Sequence, residues 1–244
     1  MKEIHKHKIE KYIIIQCIVG LIIVVIENFW LNRQMNVCIM DGVALLMNGA
    51  VFLVLYIVYL IYFVGLMGNF FDVQIVLRNK SRKSIWMQHV KKVIEVNAVT
   101  AFIWVLVGFV SGKIHSTDLL NWSEAGSFYS YTTGMPESIC ELNAVSIIFV
   151  AYFTIMLSLN ILSCIVLLGY WLFDNVFFSM IIILATGFYD SWIAKNSLFL
   201  KRLLIYGDVW ADTKWIAGNV LSLMIIACTI FYIGLKLADR KEFI

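Results

Sequence analysis

The sequence predicts an all-α membrane protein with six transmembrane helices. Of its 244 residues, 61% are hydrophobic and only 14% are charged, whereas about a quarter of an average soluble domain is charged. A soluble protein of this size could not bury so much apolar surface, so lipid must be part of its solvent. Long runs of Ile, Leu, Val and Phe with a single proline favour helices. A membrane barrel would instead show polar and apolar residues alternating over about ten positions.

The predicted spans follow the apolar runs of one transmembrane domain that covers residues 1–244. In order, the spans are 12–31, 44–67, 93–110, 142–168, 176–188 and 216–235. The outer segments are 32–43, 111–141 and 189–215, and the cytoplasmic segment is 69–92. The fifth run is short, because a crossing helix needs about 20 residues, and the segment after it is amphipathic. We therefore expect a re-entrant or interfacial helical segment before the last span, turning back near the outer interface.

A short basic segment, MKEIHKHKIEK, precedes the first span. Together with the apolar run that follows, it mimics a secretory signal, but no small-residue cleavage site comes after it. We interpret it as an uncleaved anchor with its N-terminus in the cytoplasm. Glu27 lies near the outer end of the first run, beside Trp30 and Arg33, and we expect it at the membrane interface.

The stretch RNKSRKSIWMQHVKK, residues 78–92, separates the second and third spans. It holds six of the 19 Lys and Arg residues, so it is too polar for hydrocarbon, and its charge predicts a cytoplasmic location. Ser81 and Ser84 can cap a short helix, because a serine oxygen accepts a free N–H of the first turn. Ile85, Trp86 and Met87 would give that helix an apolar side. The pattern indicates a cytoplasmic docking element.

Two other segments carry local signals. Segment 111–141 holds the single proline, Pro136, with four acidic and four aromatic residues. It is either a lid that lies on the outer membrane face or a floppy loop.

Between 142 and 188 the one charged residue is Asp174. A turn is therefore predicted there, with Asp174 or Asn175 capping the next helix.

The distribution of basic residues predicts the orientation. Thirteen of the 19 Lys and Arg residues fall in the N-terminal segment, in 78–92 and in the C-terminal tail, and six fall in the predicted outer segments. Because Lys and Arg concentrate on the cytoplasmic side of membrane proteins, both termini are expected in the cytoplasm of a multi-pass cell-membrane protein. The four basic residues of 189–215 run against this pattern.

The sequence lacks the common catalytic motifs. It has no GxxxxGK[ST], HExxH or GxSxG pattern and no pair of intramembrane aspartates, and its four histidines lie outside the predicted spans. We therefore expect no catalytic, cofactor-binding or metal-binding residue in this chain and no nucleic-acid partner. Ion-coupled carriers place ionisable groups near the membrane midplane. The predicted spans of this chain have no ionisable group near their middle. Energy, if any is used, must come from another subunit.

The predicted spans carry neutral polar residues instead. We expect most of these to form hydrogen bonds between helices; they are Gln16, Asn48, Asn143, Asn160 and Asn219. The five cysteines are scattered and are interpreted as apolar packing residues. Cys38 and Cys140 both fall on the predicted outer side, so a disulfide between them is possible, but no spacing supports it.

The chain resembles a permease subunit of a type-2 ABC exporter. VLRNKSRKSIW resembles the basic, serine-containing loop before the third span of that family, and LLGYWLFDN resembles the cytoplasmic link before the fifth span. YIGLKLADRKEFI resembles the basic, aromatic-containing tail. The resemblance covers the whole chain, but the short fifth span and the basic last outer segment depart from it.

The resemblance implies a dimer of permease subunits, with the same or a related second chain, above two separate ATPase subunits that bind ATP. Its coupling helix would dock in a groove of the ATPase, with Ile85 and Trp86 as apolar anchors. The implied coupling residues are Arg78, Lys80, Ser81, Arg82, Lys83, Ser84, Ile85 and Trp86. The basic residues also fit a simpler role, in which they only set the membrane topology and bind lipid headgroups. Small members of the family imply a hydrophobic or amphipathic cargo, such as an antimicrobial or signalling peptide.

Three other hypotheses stay open. A non-transporting immunity or sensor protein would bind a peptide at its outer aromatic segments and would need no ATPase. A substrate-binding membrane subunit of an importer would bind a small molecule when purified alone. An intramembrane enzyme is the most distant hypothesis, since no catalytic constellation is present.

Overall fold

The computed structural model describes residues 2–67, 81–133, 142–173, 175–189, 203–204 and 213–240. The helices in these ranges are α1 (Lys2–Leu31), α2 (Ile39–Leu45), α3 (Gly49–Met67), α4 (Arg82–His115), α5 (Phe128–Thr133), α6 (Ala144–Phe173), α7 (Val176–Phe188) and α8 (Thr213–Arg240). Over these ranges the chain has no β-strand, and only an isolated bridge joins Asn36 to Ser127. The all-α prediction is confirmed.

Four of these helices, α1, α4, α6 and α8, are long and apolar enough to cross a membrane. A fifth span is present if α2 and α3, which are bent by 66° at their junction, count as one. The 13 residues of α7 reach only about 20 Å, whereas the hydrocarbon layer is about 30 Å thick. The chain is therefore a multi-pass membrane protein, and the count of six spans stays a prediction.

Helices α1 and α4 run side by side in the same direction. The Tyr12 hydroxyl lies 3.2 Å from Thr100 Oγ1, and Trp104 Nε1 donates to Gln16 Oε1 at 2.8 Å. Further along both helices, the Asn28 amide donates to Ser111 Oγ. The expected role of Gln16 as an interhelical hydrogen bonder is therefore confirmed.

Helices α6 and α8 run antiparallel to α4. Trp86, near the start of α4, contacts Trp171 near the end of α6, with ring centroids 5.6 Å apart. It also packs against Gly234 near the end of α8. The exposed residues Lys83 and Lys236 thus lie at one end of the bundle, which we call the basic end. The opposite end holds residues 116–131, which we call the cover segment.

The structure differs from the predicted outer loop at 32–43. Residues from Ile39 onward form the buried helix α2, which packs on α4. A Cβ at Gly42 would overlap the carbonyl oxygen of Gly108, so glycines at both positions let the two backbones come this close. A break then separates α2 from α3, where Asn48 Oδ1 accepts the N–H of Ala50 at 3.0 Å. Asn48 therefore caps α3 and does not link helices.

The third predicted span and the predicted short helix before it form one helix. No Gly or Pro occurs between Arg82 and Gly108, so nothing in the sequence breaks the hydrogen-bond ladder. The N-cap is Ser81, whose side chain accepts the N–H of Ser84 at 3.2 Å, and Ser84 lies within the first turn. Asn175 caps α7 by accepting the N–H of Phe177, as predicted, while Asp174 lies outside the described residues.

Part of the predicted outer segment 189–215 reaches the interior of the bundle. Leu203 and Leu204 are buried, and the Leu203 carbonyl accepts a hydrogen bond from Ser158 Oγ. Because Ser158 lies near the middle of α6, this contact is deeper than the outer interface at which the sequence predicted the turn. The neighbouring residues 190–202 and 205–212 lie outside the described part of the chain.

Candidate functional site

The predicted coupling residues lie partly at the start of α4. Arg78 and Lys80 fall outside the described residues. Ser81 and Lys83 are exposed at the basic end, and Arg82 and Ser84 are partly buried. The structure thus places the four described polar members of the predicted site at the tip of a membrane-crossing helix, not on a separate helix.

Ile85 and Trp86 are buried inside the chain, with exposed fractions of 2% and 0%. A Cβ at Gly234 would overlap the Trp86 indole ring, so the indole fills the space beside that glycine. The two predicted apolar anchors are therefore packed inside the chain, and their role in docking a partner stays a prediction. The sequence did not reveal this burial, because the surrounding stretch is polar and the partners in α6 and α8 are distant along the chain. The exposed apolar side chain here is Met87, at 48%.

Further along α4, basic residues remain on the surface. Lys91 and Lys92 are exposed, and Lys91 Nζ lies 4.0 Å from Glu95 Oε1 in an (i, i+4) pair. Because both side chains are largely exposed, the pair contributes little to stability. The basic residues thus place positive charge on the exposed surface of α4.

A buried network of neutral polar groups joins α3, α4 and α6. The Tyr59 hydroxyl donates to Asn97 Oδ1 and lies 2.8 Å from Ser163 Oγ. Asn97 Nδ2 donates to Asn160 Oδ1 at 2.7 Å. The expected interhelical role of Asn160 is confirmed. Since apolar side chains alone specify little in lipid, such bonds fix the register of three helices.

Aromatic rings connect this network to the Gln16–Trp104 bond. The Phe52 ring contacts the Trp104 ring edge-on at 5.6 Å and the Tyr56 ring at 6.3 Å. The Tyr56 ring in turn lies 5.7 Å from the Tyr59 ring. We call the connected set the polar seam; it comprises Gln16, Phe52, Tyr56, Tyr59, Asn97, Trp104, Asn160 and Ser163.

One sequence signal could have revealed the seam. Asn97, Thr100, Trp104 and Ser111 are separated by three, four and seven residues, so they share one face of α4. Their side chains all form hydrogen bonds with other helices. The partners could not be assigned from sequence, because tyrosines on an apolar helix usually indicate packing.

The cover segment is folded against α2 and is not a floppy loop over residues 116–131. Trp122 Nε1 donates to Asp41 Oδ1 at 2.6 Å, and the Trp122 ring stacks on Tyr129 with centroids 5.3 Å apart. The backbone N–H of Ile39 donates to the Asp118 carbonyl at 2.9 Å. Gly126 adopts φ 81°, which favours glycine. Trp122 therefore points inward and does not lie on a membrane face; Pro136 is outside the described residues.

Cys38 is a buried, free thiol beside the cover segment. Burial, followed by the charge of Asp41, raises the pKa of the Cys38 thiol to about 12. The thiol is therefore protonated at neutral pH. Its possible partner Cys140 lies outside the described residues, so the disulfide stays untested.

The fold and site define an all-α multi-pass membrane protein with a buried polar seam. Among the described residues, no group of three or more His, Cys, Asp or Glu side chains could hold a metal ion. Comparison of the chain with protein families, with curated proteins and with solved structures finds no match. Function must therefore be inferred from the geometry.

Proposed function

We propose that the chain is a membrane-spanning permease subunit of an ATP-driven ABC transporter. In this proposal it has six spans in the cell membrane with both termini in the cytoplasm, and it pairs with a second permease chain, the same or a related one. A separate ATPase subunit binds ATP. The cargo is hydrophobic or amphipathic, such as an antimicrobial or signalling peptide. One observation carries the proposal: α4 runs unbroken from the basic end to the cover segment.

An unbroken helix can transmit movement along its whole length. The 34 residues of α4 extend about 50 Å at 1.5 Å per residue. At one end Trp86 is wedged between Trp171 and Gly234, and near the other end Gly112 contacts Ile39. A push on the exposed tip of α4 would therefore also move α6, α8 and α2.

The proposed docking surface follows from exposure at that tip. Lys83 and Met87 supply an exposed charge and an exposed apolar side chain. Arg78, Lys80 and Arg82 extend the positive charge along the sequence. In this proposal Ile85 and Trp86 do not contact the ATPase. They are buried beneath the docked tip, where Trp86 contacts α6 and α8.

Co-purification with a candidate ATPase tests the proposal. The chain would be expressed with a P-loop ATPase encoded beside it and extracted in mild detergent. We expect the wild type to retain the ATPase and the double variant Lys83→Glu with Met87→Ala to lose most of it, because the variant reverses a charge and removes the apolar contact.

A matched control makes the same changes in charge and size at the other end of α4. Lys113 and Ile114 are both exposed, so Lys113→Glu with Ile114→Ala should retain the ATPase. If no ATPase is retained by the wild type, or if both double variants retain it equally, the coupling role of the tip is refuted.

An immunity or sensor protein is the second candidate. It is favoured by the folded cover segment, on which Leu119 and Tyr131 remain 50% and 66% exposed and could contact a peptide. This candidate predicts that the chain protects cells, or responds to a peptide, when the neighbouring ATPase is deleted.

A further inference from the structure

The last helix, α8, has an exposed groove along one of its sides. The groove has a volume of about 510 Å³. The opposite side of α8 packs on the bundle, since Leu223 and Gly234 are buried. No described residue of another helix lines the groove, so the chain itself leaves it open. Its lining residues are all exposed; they are Leu221, Met224, Ile225, Cys228, Thr229 and Tyr232.

The groove exists because small side chains lie between large ones. Cys228 and Thr229 are adjacent, with Ile225 one turn before them and Tyr232 one turn after them. Thr229 Oγ1 donates to the Ile225 carbonyl at 2.8 Å, so this hydroxyl is satisfied within α8 and needs no polar partner. The groove therefore suits a second helix, because helices in a membrane associate by close packing at small residues.

The exposed side of α1 has a different character. It carries large aliphatic side chains at successive turns; they are Ile14, Ile15, Ile18, Ile22 and Ile26. Such a surface suits fluid lipid chains. The gap between large side chains on α8 is thus a particular feature of that helix and does not occur on every lipid-exposed surface of the chain.

Two copies of the chain provide matching surfaces for the groove. Both copies have the same orientation in one membrane, so a two-fold axis sets the groove side of α8 against itself. The two helices then approach most closely at Cys228 and Thr229, where the side chains are small. The six side chains expose on the order of 600 Å² per copy, so the pair would bury about 1,200 Å² in total, the lower end of the range for specific interfaces.

We propose that the groove of α8 is the contact between two copies of this chain, whose α8 helices pack side by side in the same direction. This inference rests on the proposed function for its second permease chain, and it identifies that chain as a second copy. The contact does not involve the tip of α4. Self-association and ATPase retention are therefore measured separately, and either can fail alone.

Oxidative cross-linking in the membrane tests the contact. The chain is expressed alone, with alanine in place of every native cysteine except Cys228, and copper phenanthroline is added to isolated membranes. In a parallel pair each interface residue faces its own counterpart, so the two Cys228 thiols lie close together. We expect a covalent dimer, at least about fivefold more abundant than in the control variant, because a disulfide forms only between cysteines whose Cβ atoms come within a few Å of each other.

The matched control moves the cysteine by two positions along the same helix. Ile226 is also exposed, at 40%, but it lies about 160° around α8 from Cys228. The variant Cys228→Ala with Ile226→Cys should therefore stay monomeric. If it cross-links as strongly as Cys228, the dimers come from random collisions and the contact is refuted. If Cys228 gives no dimer, lipid or another protein covers the groove, and the contact is refuted as well.

The mass of the purified protein in mild detergent gives a second measurement that does not depend on thiol chemistry. Cys228→Trp fills the groove and should lower the dimer fraction at least about fivefold, whereas Ile226→Trp should keep the dimer fraction of the wild type, since substitutions at exposed positions rarely disturb the fold. A monomeric wild type, or an equal loss of dimer in both variants, overturns the proposal.

Discussion

Asp41 is a carboxylate that is fully buried in α2, and its two hydrogen-bond donors are neutral groups. Trp122 Nε1 donates to one oxygen at 2.6 Å and the backbone N–H of Cys38 donates to the other at 2.7 Å. A buried charge without a counterion depends on such donors. The Asp41–Trp122 bond therefore stabilises the attachment of the cover segment more than an exposed ion pair would.

Trp122→Phe tests this bond, because it keeps the aromatic packing on Tyr129 and removes the indole donor. We expect a loss of about 2–3 kcal/mol in the free energy of unfolding, since a buried carboxylate oxygen loses its partner. The measurement is denaturant unfolding in detergent. Trp30→Phe, at an exposed tryptophan, is the control and should have little effect.

The double variant Asp41→Asn with Trp122→Phe then separates packing from hydrogen bonding. If the two changes act through one bond, the double variant should lose less stability than the sum of the single variants. Additive losses would contradict the role of the bond.

At the scale of helices, α8 is the most peripheral of the long spans. Of the 18 most apolar consecutive residues in α8, only 11% are buried, whereas the corresponding share is 50% in α4 and in α6. Its close contact with the bundle at the basic end is made where Gly234 meets the Trp86 ring. In the transporter proposal, this contact is how movement of α4 reaches the last span.

Gly234→Ala should therefore loosen α8 from the bundle. The new methyl group would overlap the Trp86 ring, and overpacking of this kind costs about 1–3 kcal/mol. Gly218→Ala, in the same helix, is the control, because a Cβ there meets no atom within 4 Å. That variant should be neutral or stabilising by up to about 1 kcal/mol, the helix propensity of Ala over Gly.

Unfolding of the two variants in detergent gives the comparison. Adding Trp86→Leu to Gly234→Ala should recover part of the loss, because the smaller side chain makes room for the methyl group. If both glycine variants are equally stable, the tight contact between α4 and α8 is contradicted.

At the scale of the whole molecule, the sequence predicted the structural features that depend on long apolar runs and on helix-capping residues. The membrane class, the long helices and the capping roles of Ser81 and Asn175 follow from local signals. The bend after α2 and the burial of Trp86 do not, since they depend on contacts with Gly108 and Gly234, far along the chain. For the seam, the sequence indicated that Gln16 and Asn160 form hydrogen bonds between helices, but it could not assign their partners, because those partners lie on other helices.

The arrangement of the ends gives a prediction for the whole fold. Lys83 and Lys236 are exposed at the basic end, and Ser123 is exposed in the cover segment. In a variant lacking the five native cysteines, Lys83→Cys and Lys236→Cys should react with a membrane-impermeant maleimide from one side and Ser123→Cys from the other. With cytoplasmic termini, Ser123→Cys is labelled in intact cells, and the other two are labelled only after permeabilisation.

The three positions separate the fold from its orientation. If Lys83→Cys and Lys236→Cys react together in intact cells and Ser123→Cys does not, the fold holds but the basic end faces outward. A cytoplasmic ATPase could not then reach the tip of α4, and the transporter proposal fails. If the two lysine positions react from opposite sides, α4 and α8 cannot meet at Trp86 and Gly234, and the described packing is itself contradicted.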